Sequence, residues 1–234
     1  MRRDRAQNPP SRDDGEAVFR DDHDSYSAFA DWYENQRHGG YHELIDDLER
    51  DLLRRYVLDR SVLEVGCGTG LILRRIEPLA RRAVGLDVSR GMLERASRRG
   101  LDVVEGDARA LPFVDGAFDV VCSFKTLAHV PNVERAVHEM VRVTRPGGHL
   151  LLEFYNPLSM RYLAKRLAWP DFLAEGRDEG EPYTRWDPPS EVRRWLPDEV
   201  ELVDFAGIRV ITPAAAVHTI PWVRHWVRKL EFVA

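Results

Sequence analysis

This sequence of 234 residues has few cysteines, no long apolar run and no apolar leader pattern. Each shortage argues against one class of protein. The only cysteines are Cys67 and Cys122, and they form no Cys-x-x-Cys pair. A disulfide framework is therefore not predicted, and a reducing, cytoplasmic setting is expected. No apolar run reaches the roughly 18 residues of a spanning helix, so integral membrane association is not expected. Arginines near the start are followed by no apolar stretch, so no secretory signal is predicted.

An excess of positive charge is also missing. The chain carries 39 acidic and 34 basic residues, a net charge of −5, and lysine occurs only at Lys125, Lys165 and Lys229. This balance gives no general attraction for nucleic acid or for an anionic membrane. A small-molecule partner is therefore favoured and a nucleic-acid partner is not expected. A homodimer is one option that the composition leaves open.

The chain divides into a tail and one domain. Residues 1–22 are charged and aperiodic, which predicts a mobile tail. Residues 23–234 are interpreted as a single domain. Within it, 23–57 shows helical spacing, 58–156 alternates short apolar runs with helical patterns, and 157–234 mixes helical patterns with a strand around VELVDF.

The alternating region predicts an α/β fold. Each short apolar run is followed by a helical or turn-rich stretch, and helices separate several of the runs. The runs interpreted as strands are SVLEVG, RAVGLDV, LDVVEGD, FDVVCSF and HLLLEFY. Strand and helix repeated in this way predict a doubly wound, mostly parallel sheet with helices on both faces.

Three glycines end the first predicted strand and open the first predicted helix: Gly66, Gly68 and Gly70. Ligands of an open parallel sheet bind outside the carboxyl ends of its strands, and glycine lets a ligand approach the backbone closely. A dinucleotide turn needs G-x-G-x-x-G, which fails because Leu71 stands five residues after Gly66. A P-loop is excluded because no Gly-Lys-Ser/Thr follows. Glu64 would repel a diphosphate, so a cationic ligand suits this turn better.

Five motifs in order give the sequence a resemblance to a known family. They are EVGCGTG at 64–70, GLDVS at 85–89, EGDARALPF at 105–113, FDVVCSFKTLAHV at 118–130 and RVTRPGGHLLLE at 142–153. The chain resembles the class I S-adenosyl-L-methionine (SAM)-dependent methyltransferases, especially the small-molecule branch with the ubiquinone and menaquinone methyltransferases. The resemblance covers about residues 26–156. It implies a Rossmann-like sheet, SAM as cofactor and S-adenosyl-L-homocysteine (SAH) as product, and no metal site is predicted.

The resemblance implies a cofactor site at the carboxyl edge of the sheet. Asp87 is implied to accept the ribose hydroxyls, although an aspartate here could instead cap the next helix. Asp107 is implied to accept the adenine amino group, with the Ala108 amide facing a ring nitrogen, although a simple turn aspartate stays open. The backbone near Gly66 and Ser123 is implied to hold the methionine part. The full set of expected cofactor-binding residues is Glu64, Gly66, Cys67, Gly68, Gly70, Asp87, Val88, Met92, Asp107, Ala108, Ser123, Tyr33 and Arg37.

Several of these residues are given supporting roles. Val88 and Met92 are expected to line the adenine slot, and Glu64 to organise the glycine turn rather than to touch the sulfonium. Cys67 is interpreted as a small turn residue and not as a nucleophile. An N-terminal helix is expected to cover the cofactor, with Tyr33 or Arg37 holding its carboxylate; ordinary surface packing is the alternative.

The acceptor side is less specific. His129 follows the fourth predicted strand, where it would act either as a base or as a pocket residue. The Asp/Asn-Pro-Pro-aromatic motif of nucleic-acid amino methylases is missing there, and no cysteine follows a proline as in cytosine-C5 methylases. Methylation of oxygen, nitrogen or carbon on a small, apolar or aromatic metabolite is therefore expected. Aromatic residues expected to form the acceptor pocket, or alternatively to pack helices on the sheet, are Trp169, Phe172, Tyr183, Trp186 and Trp195.

Two other functions stay open. One is a SAM-binding module or partner subunit without turnover, and the other is a methyltransferase acting on RNA or protein. The first is motivated by the end of the chain, where VELVDFAGIRVITP is interpreted as one strand or two. The sequence therefore leaves open whether the seventh strand usual in this fold is present.

Overall fold

The central feature of the computed structural model, which describes residues 52–159 and 185–204, is a parallel sheet of five strands. The strands are β1 (Ser61–Val65), β2 (Arg82–Asp87), β3 (Val103–Glu105), β4 (Phe118–Ser123) and β5 (Thr144–Leu152). Their order across the sheet is β3-β2-β1-β4-β5, and every neighbouring pair is parallel. The chain thus builds outward from β1 in one direction and then in the other. The predicted doubly wound α/β fold is confirmed.

Helices connect the strands. They are α1 (Leu73–Ile76), α2 (Arg90–Arg98), a 3-10 turn (Leu127–His129), α3 (Val133–Val143) and α4 (Pro189–Trp195), and residues 52–57 are also helical. Both ends of α2 carry a local signal, since the Ser89 hydroxyl accepts from the Met92 amide at 3.4 Å and Gly100 follows with φ +79°. In the described ranges, no helix is long and apolar enough to cross a membrane.

Two apolar layers pack on the two faces of the sheet. Side chains of a strand point alternately to opposite faces, and β1 shows the consequence. Val62 belongs to the layer under the helical segment 52–57 and α1, whereas Leu63 and Val65 belong to the layer under α3 and α4. Since all three are fully buried, β1 is apolar on both faces apart from Ser61 at its start and Glu64.

Two predicted elements differ in the structure. The helix expected over LILRRIEPLA is a regular α-helix only over Leu73–Ile76, with turns on either side. The strand expected at VELVDF is wrong over residues 200–204, which form no strand. Leu202 and Val203, which are neighbours in the sequence, are 46% and 74% exposed. The remainder of that motif, the following IRVIT and the N-terminal helices lie outside the described residues.

The amino ends of β1 and β4 are joined by Asp119. Its Oδ2 accepts from the Ser61 amide at 2.7 Å and from the Ser61 hydroxyl at 2.9 Å, and the guanidinium groups of Arg81 and Arg145 pair with the same carboxylate. The Ser61 amide is the main cause of a lowered pKa for Asp119, against the opposing effect of burial, and both arginines add to the lowering. This cluster lies at the end of the sheet opposite the glycine turn.

We expect Asp119→Asn to lower the free energy of unfolding at pH 7 by about 1–3 kcal/mol, because it removes the charge from these hydrogen bonds. A lowered folded-state pKa stabilises the protein above the unfolded-state pKa, and this contribution is lost as the pH falls. The difference between variant and wild type, measured by urea unfolding, should therefore shrink below about pH 4. Asp102→Asn is the control, since Asp102 is exposed and 3.9 Å from Arg82. A difference that is unchanged by pH would contradict the assignment.

Candidate functional site

The glycine turn after β1 folds back onto the end of β2. The amides of Gly66 and Cys67 both donate to the Leu86 carbonyl, at 2.7 and 3.0 Å. All three glycines have positive φ, +77° at Gly66, +54° at Gly68 and +80° at Gly70. This backbone path favours glycine at each position, because other residues rarely adopt such φ values.

The three glycines differ in what surrounds them. A Cβ on Gly66 would stand 2.2 Å from the side chain of Thr126, and one on Gly70 would stand 2.3 Å from that of Leu101. A Cβ on Gly68 would meet nothing within 4 Å. The chain itself therefore fills the space beside the first and third glycines, while the second leaves its backbone open to a ligand.

Asp87 ends β2 beside this open position. Its Oδ2 accepts from the Gly68 amide and its Oδ1 from the Ser89 amide, both at 2.8 Å. The side-chain cap of α2 comes from Ser89 and not from Asp87. The two amides fix the orientation of the Asp87 carboxylate and tie the glycine turn to the β2–α2 turn.

Asp107 lies in the turn after β3 and pairs with Arg109. Its carboxylate accepts from the Arg109 amide at 2.8 Å, from Nη2 at 2.7 Å and from Nε at 3.0–3.1 Å. Burial works against ionisation of Asp107, but the hydrogen bonds and charge of Arg109 outweigh it, and its pKa is lowered. The sequence analysis did not single out Arg109. The neighbouring Ala108 is half-buried at the edge of the apolar layer under α3.

The stretch after Asp107 is fastened to α3 by Arg142. Its guanidinium donates to the carbonyls of Leu111 and Phe113 at 3.0 and 2.8 Å and pairs with Glu139 at 2.7 Å. Glu139 in turn accepts from the Leu111 amide at 2.8 Å. These bonds hold in place the chain that leads out of the Asp107 turn.

The loop after β4 is joined to the loops after β1 and β5. Ser123 donates its hydroxyl to the Val65 carbonyl at 2.8 Å, and Thr126 donates to the Gly66 carbonyl at 3.1 Å. Between them Lys125 has φ +58°, and its amide donates to the Glu153 carboxylate at 3.0 Å. Thr126 and Glu153 were not predicted, since their partners are distant in sequence and no local pattern marks them.

The buried residues of the site include one carboxylate and two thiols. Glu64 is 2% exposed in the middle of β1. Burial is the largest cause of the raised pKa of the Cys67 thiol, followed by the charges of Glu64 and Asp87. A raised thiol pKa keeps sulfur neutral and unreactive, which agrees with the interpretation of Cys67 as a small turn residue. Cys122 is fully buried in β4.

On the β4–β5 side, three rings form a row. The rings of His129 and Tyr155 meet edge to face with centroids 6.2 Å apart, and those of Tyr155 and Trp186 lie 5.4 Å apart. Residues 185–187, here called the crossing segment, bring Trp186 to this place. The Arg185 amide donates to the Ala128 carbonyl and the Asp187 amide to the Tyr155 carbonyl, each at 2.8 Å.

The two side chains flanking Trp186 are bound to each other and to α4. Arg185 pairs with Asp187 at 2.9 Å and lies over the Trp195 ring, 5.1 Å from its centroid. Asp187 is 5% exposed, and burial raises its pKa despite the opposing charge of Arg185. Trp195, predicted as an acceptor residue or a packing residue, is buried in the layer under α3 and α4.

The other predicted residues are placed as follows. Val88 is half-buried and Met92 is 5% exposed at the start of α2. Tyr33 and Arg37 lie outside the described residues, as do the aromatic residues Trp169, Phe172 and Tyr183. In the described part, the structure thus gathers the turns that carry Gly68, Asp87, Asp107, Ser123 and His129 at the carboxyl edge of the sheet.

Comparison with known proteins matches this region to one family. Residues 63–152 match the family model described as a methyltransferase domain. A demethylmenaquinone methyltransferase of Thermobifida fusca is 39% identical over 115 residues, which cover 46% of this chain and 49% of that protein. A phthiotriol/phenolphthiotriol dimycocerosates methyltransferase of Mycobacterium ulcerans is 37% identical over 131 residues, covering 49% and 48%. The chain thus spans about half the length of these relatives.

A solved structure shows the same fold. A SAM-dependent methyltransferase of Thermotoga maritima aligns with a TM-score of 0.58 and 23% identity, covering 73% of this chain and 76% of that one. At this identity the likeness shows the fold, and the family model agrees with the resemblance to the methyltransferases that the five motifs carry. Residues 63–152 match a methyltransferase domain, and a demethylmenaquinone methyltransferase is among the relatives that match this region.

We expect Gly66→Ala to destabilise the protein by roughly 2–5 kcal/mol, because it combines a positive-φ cost with a clash against Thr126. Gly68→Ala meets open space, so only the backbone cost of about 1–2 kcal/mol is expected. Urea unfolding of the two matched variants measures the difference. Equal losses would show that the space beside the two glycines does not differ.

Proposed function

We propose that this protein binds SAM at the carboxyl edge of β1 and β2 and transfers its methyl group to a small, apolar or aromatic acceptor. The observation that carries the proposal is the open backbone at Gly68, held at 2.8 Å from the Asp87 carboxylate. β1 is also the strand from which the sheet builds in both directions, the place where ligands of such sheets bind.

The residues present fit SAM. The open space at Gly68 would admit a ligand against the turn, and within the described residues the buried Thr69 hydroxyl of the same turn has no hydrogen-bond partner. Glu64 and Asp87 place negative charge near the turn, which suits a cationic ligand and would repel a diphosphate. Bound SAM would supply a methyl group already activated by its sulfonium.

Each part of the cofactor has a group to hold it. Asp87, oriented by two amides, would accept the ribose hydroxyls, and Asp107 with the Ala108 amide would meet the adenine. Val88 and Met92 would line the adenine slot. The methionine part would be held by the backbone of Gly66, Gly68, Gly70 and Ser123, supported by Glu64 and Cys67. Positioning of the two reactants is worth roughly 7–11 kcal/mol in favourable cases, so no metal is required for this chemistry.

The row of rings favours an apolar or aromatic acceptor. His129, Tyr155 and Trp186 stand where β4 and β5 end, next to the loop that Ser123 and Thr126 join to the glycine turn. Both matched relatives are named for apolar substrates, a quinone precursor and a lipid, which supports the same class here. His129 would contact the acceptor, either as a base or as a wall of the pocket.

We expect Asp87→Asn to weaken SAH binding roughly ten- to hundredfold, because a hydrogen bond to a charged acceptor is worth about 1.5–3 kcal/mol. Isothermal titration of SAH and SAM into wild type and variant measures the loss. Asp102→Asn serves as control, since Asp102 is exposed before β3. No binding to the wild-type chain would reject the proposed cofactor site.

Activity is tested by SAH release with a panel of aromatic diols, for example 1,4-dihydroxynaphthalene. Trp186→Ala should raise KM about three- to tenfold with less effect on kcat, because it removes one stacking surface. Arg194→Ala, exposed on α4, is the matched control. Tight SAM binding with no turnover across the panel would favour a binding module, and methylation of RNA or protein instead would favour a macromolecular substrate.

A further inference from the structure

We infer that Arg109 is a positioning residue, which holds the Asp107 carboxylate charged and turned to accept the amino group of a 6-aminopurine. The inference rests on the proposed function, because only a bound SAM or SAH brings such a purine to this turn. It adds a residue that acts through Asp107 and is not itself placed against the ligand.

The hydrogen bonds from Arg109 fix the orientation of the Asp107 carboxylate. Arg109 donates three groups to one carboxylate, its backbone amide to Oδ1 at 2.8 Å, Nη2 to Oδ2 at 2.7 Å and Nε to both oxygens at 3.0–3.1 Å. The amide fixes where the carboxylate lies, and the guanidinium fixes the rotation of its plane. Charge-assisted bonds of this bidentate kind are among the strongest in proteins.

Arg109 is itself held from outside the turn. Arg135 of α3 donates Nε to the Arg109 carbonyl at 2.9 Å, and the Ala110 amide donates to the Asp107 carbonyl at 3.0 Å. The side chains of Arg109 and Asp107 are only 18% and 32% exposed. Water therefore screens this ion pair less than an ordinary surface ion pair, so the attraction between its two charges is stronger.

The charge state of Asp107 depends on this contact. Burial alone would raise its pKa, and the positively charged groups that act against it are Arg109 in the same turn and Arg135 from α3. Removing the Arg109 guanidinium leaves burial opposed by the hydrogen bond from the Arg109 amide and by the charge of Arg135, so the pKa of Asp107 should rise. A carboxyl group that gains a proton loses the charge that strengthens its bond to an amino group.

The test is isothermal titration of SAH into the full chain between pH 5 and pH 8, with wild type, Arg109→Gln and Arg109→Lys. In wild type Asp107 should stay charged over this range, so it should cause little change of SAH affinity with pH. Arg109→Gln should bind about tenfold more weakly at pH 7 and lose further affinity, relative to wild type, as the pH falls toward 5. Arg109→Lys keeps the charge and should recover the flat profile with part of the affinity. Thermal unfolding of each variant checks that it is folded.

A second measurement links the effect to Asp107. In an Asp107→Asn background, Arg109→Gln should cause no further pH-dependent loss, because the titrating group is gone. The inference is overturned if Arg109→Gln binds SAH as tightly as wild type, or more tightly, with a parallel pH profile. If Arg109→Gln does not fold, the Arg109→Lys profile decides, and one that loses affinity toward pH 5 relative to wild type overturns it.

The failure of this inference is distinguishable from failure of the proposed function. If wild type binds no SAH, the cofactor site itself is wrong. If wild type binds SAH and Asp87→Asn weakens it while the Arg109 variants show no relative pH effect, the cofactor site stands and only the role of Arg109 is wrong. S-inosylhomocysteine carries an oxygen in place of the amino group and should bind wild type at least tenfold more weakly than SAH. The difference in affinity between these two ligands should be smaller in Arg109→Gln.

Discussion

The whole carboxyl edge of the sheet depends on one contact, the Leu86 carbonyl of β2 accepting the amides of both Gly66 and Cys67. These two hydrogen bonds fold the turn after β1 across the neighbouring strand, and this path requires the positive φ of the glycines. The Gly68 amide is then presented to Asp87, three residues before α2 begins at Arg90. Without that fold-back, the open backbone and the carboxylate would have no reason to lie together.

The other side of the turn is fixed by hydroxyl groups. Ser123 and Thr126 donate to the carbonyls of Val65 and Gly66, and the Thr126 side chain occupies the space that a larger residue at Gly66 would need. The cofactor half and the acceptor half of the proposed site therefore share one loop. Lys125, in a left-handed conformation between these two residues, extends the connection to Glu153 beyond β5.

Local patterns explain what the sequence could predict. The apolar runs of β1, β2 and β4 and the helical patterns of α2 and α3 are all set by neighbouring residues, and the structure has each of them. Thr126 lies 60 residues from its partner and Lys125 lies 28 from Glu153, so only the folded sheet brings these pairs together. The strand expected at residues 200–204 is wrong, because an apolar segment shows that it could pack but not whether it pairs with a neighbouring strand. Asp107 and Arg109 are close in sequence, yet spacing alone does not say that the arginine side chain turns back.

The crossing segment is attached to the sheet through its backbone at both ends, by the Arg185 amide on Ala128 and the Asp187 amide on Tyr155. Neither bond involves the side chain at position 186. This position can therefore exchange one residue for another while its attachments persist, in the way an antibody loop varies its tip on a constant frame. In the proposed function, the part that would hold the methyl donor, where three glycines and two aspartates are constrained by their neighbours, is thus separate from a position where acceptor preference could change without loss of the backbone attachments.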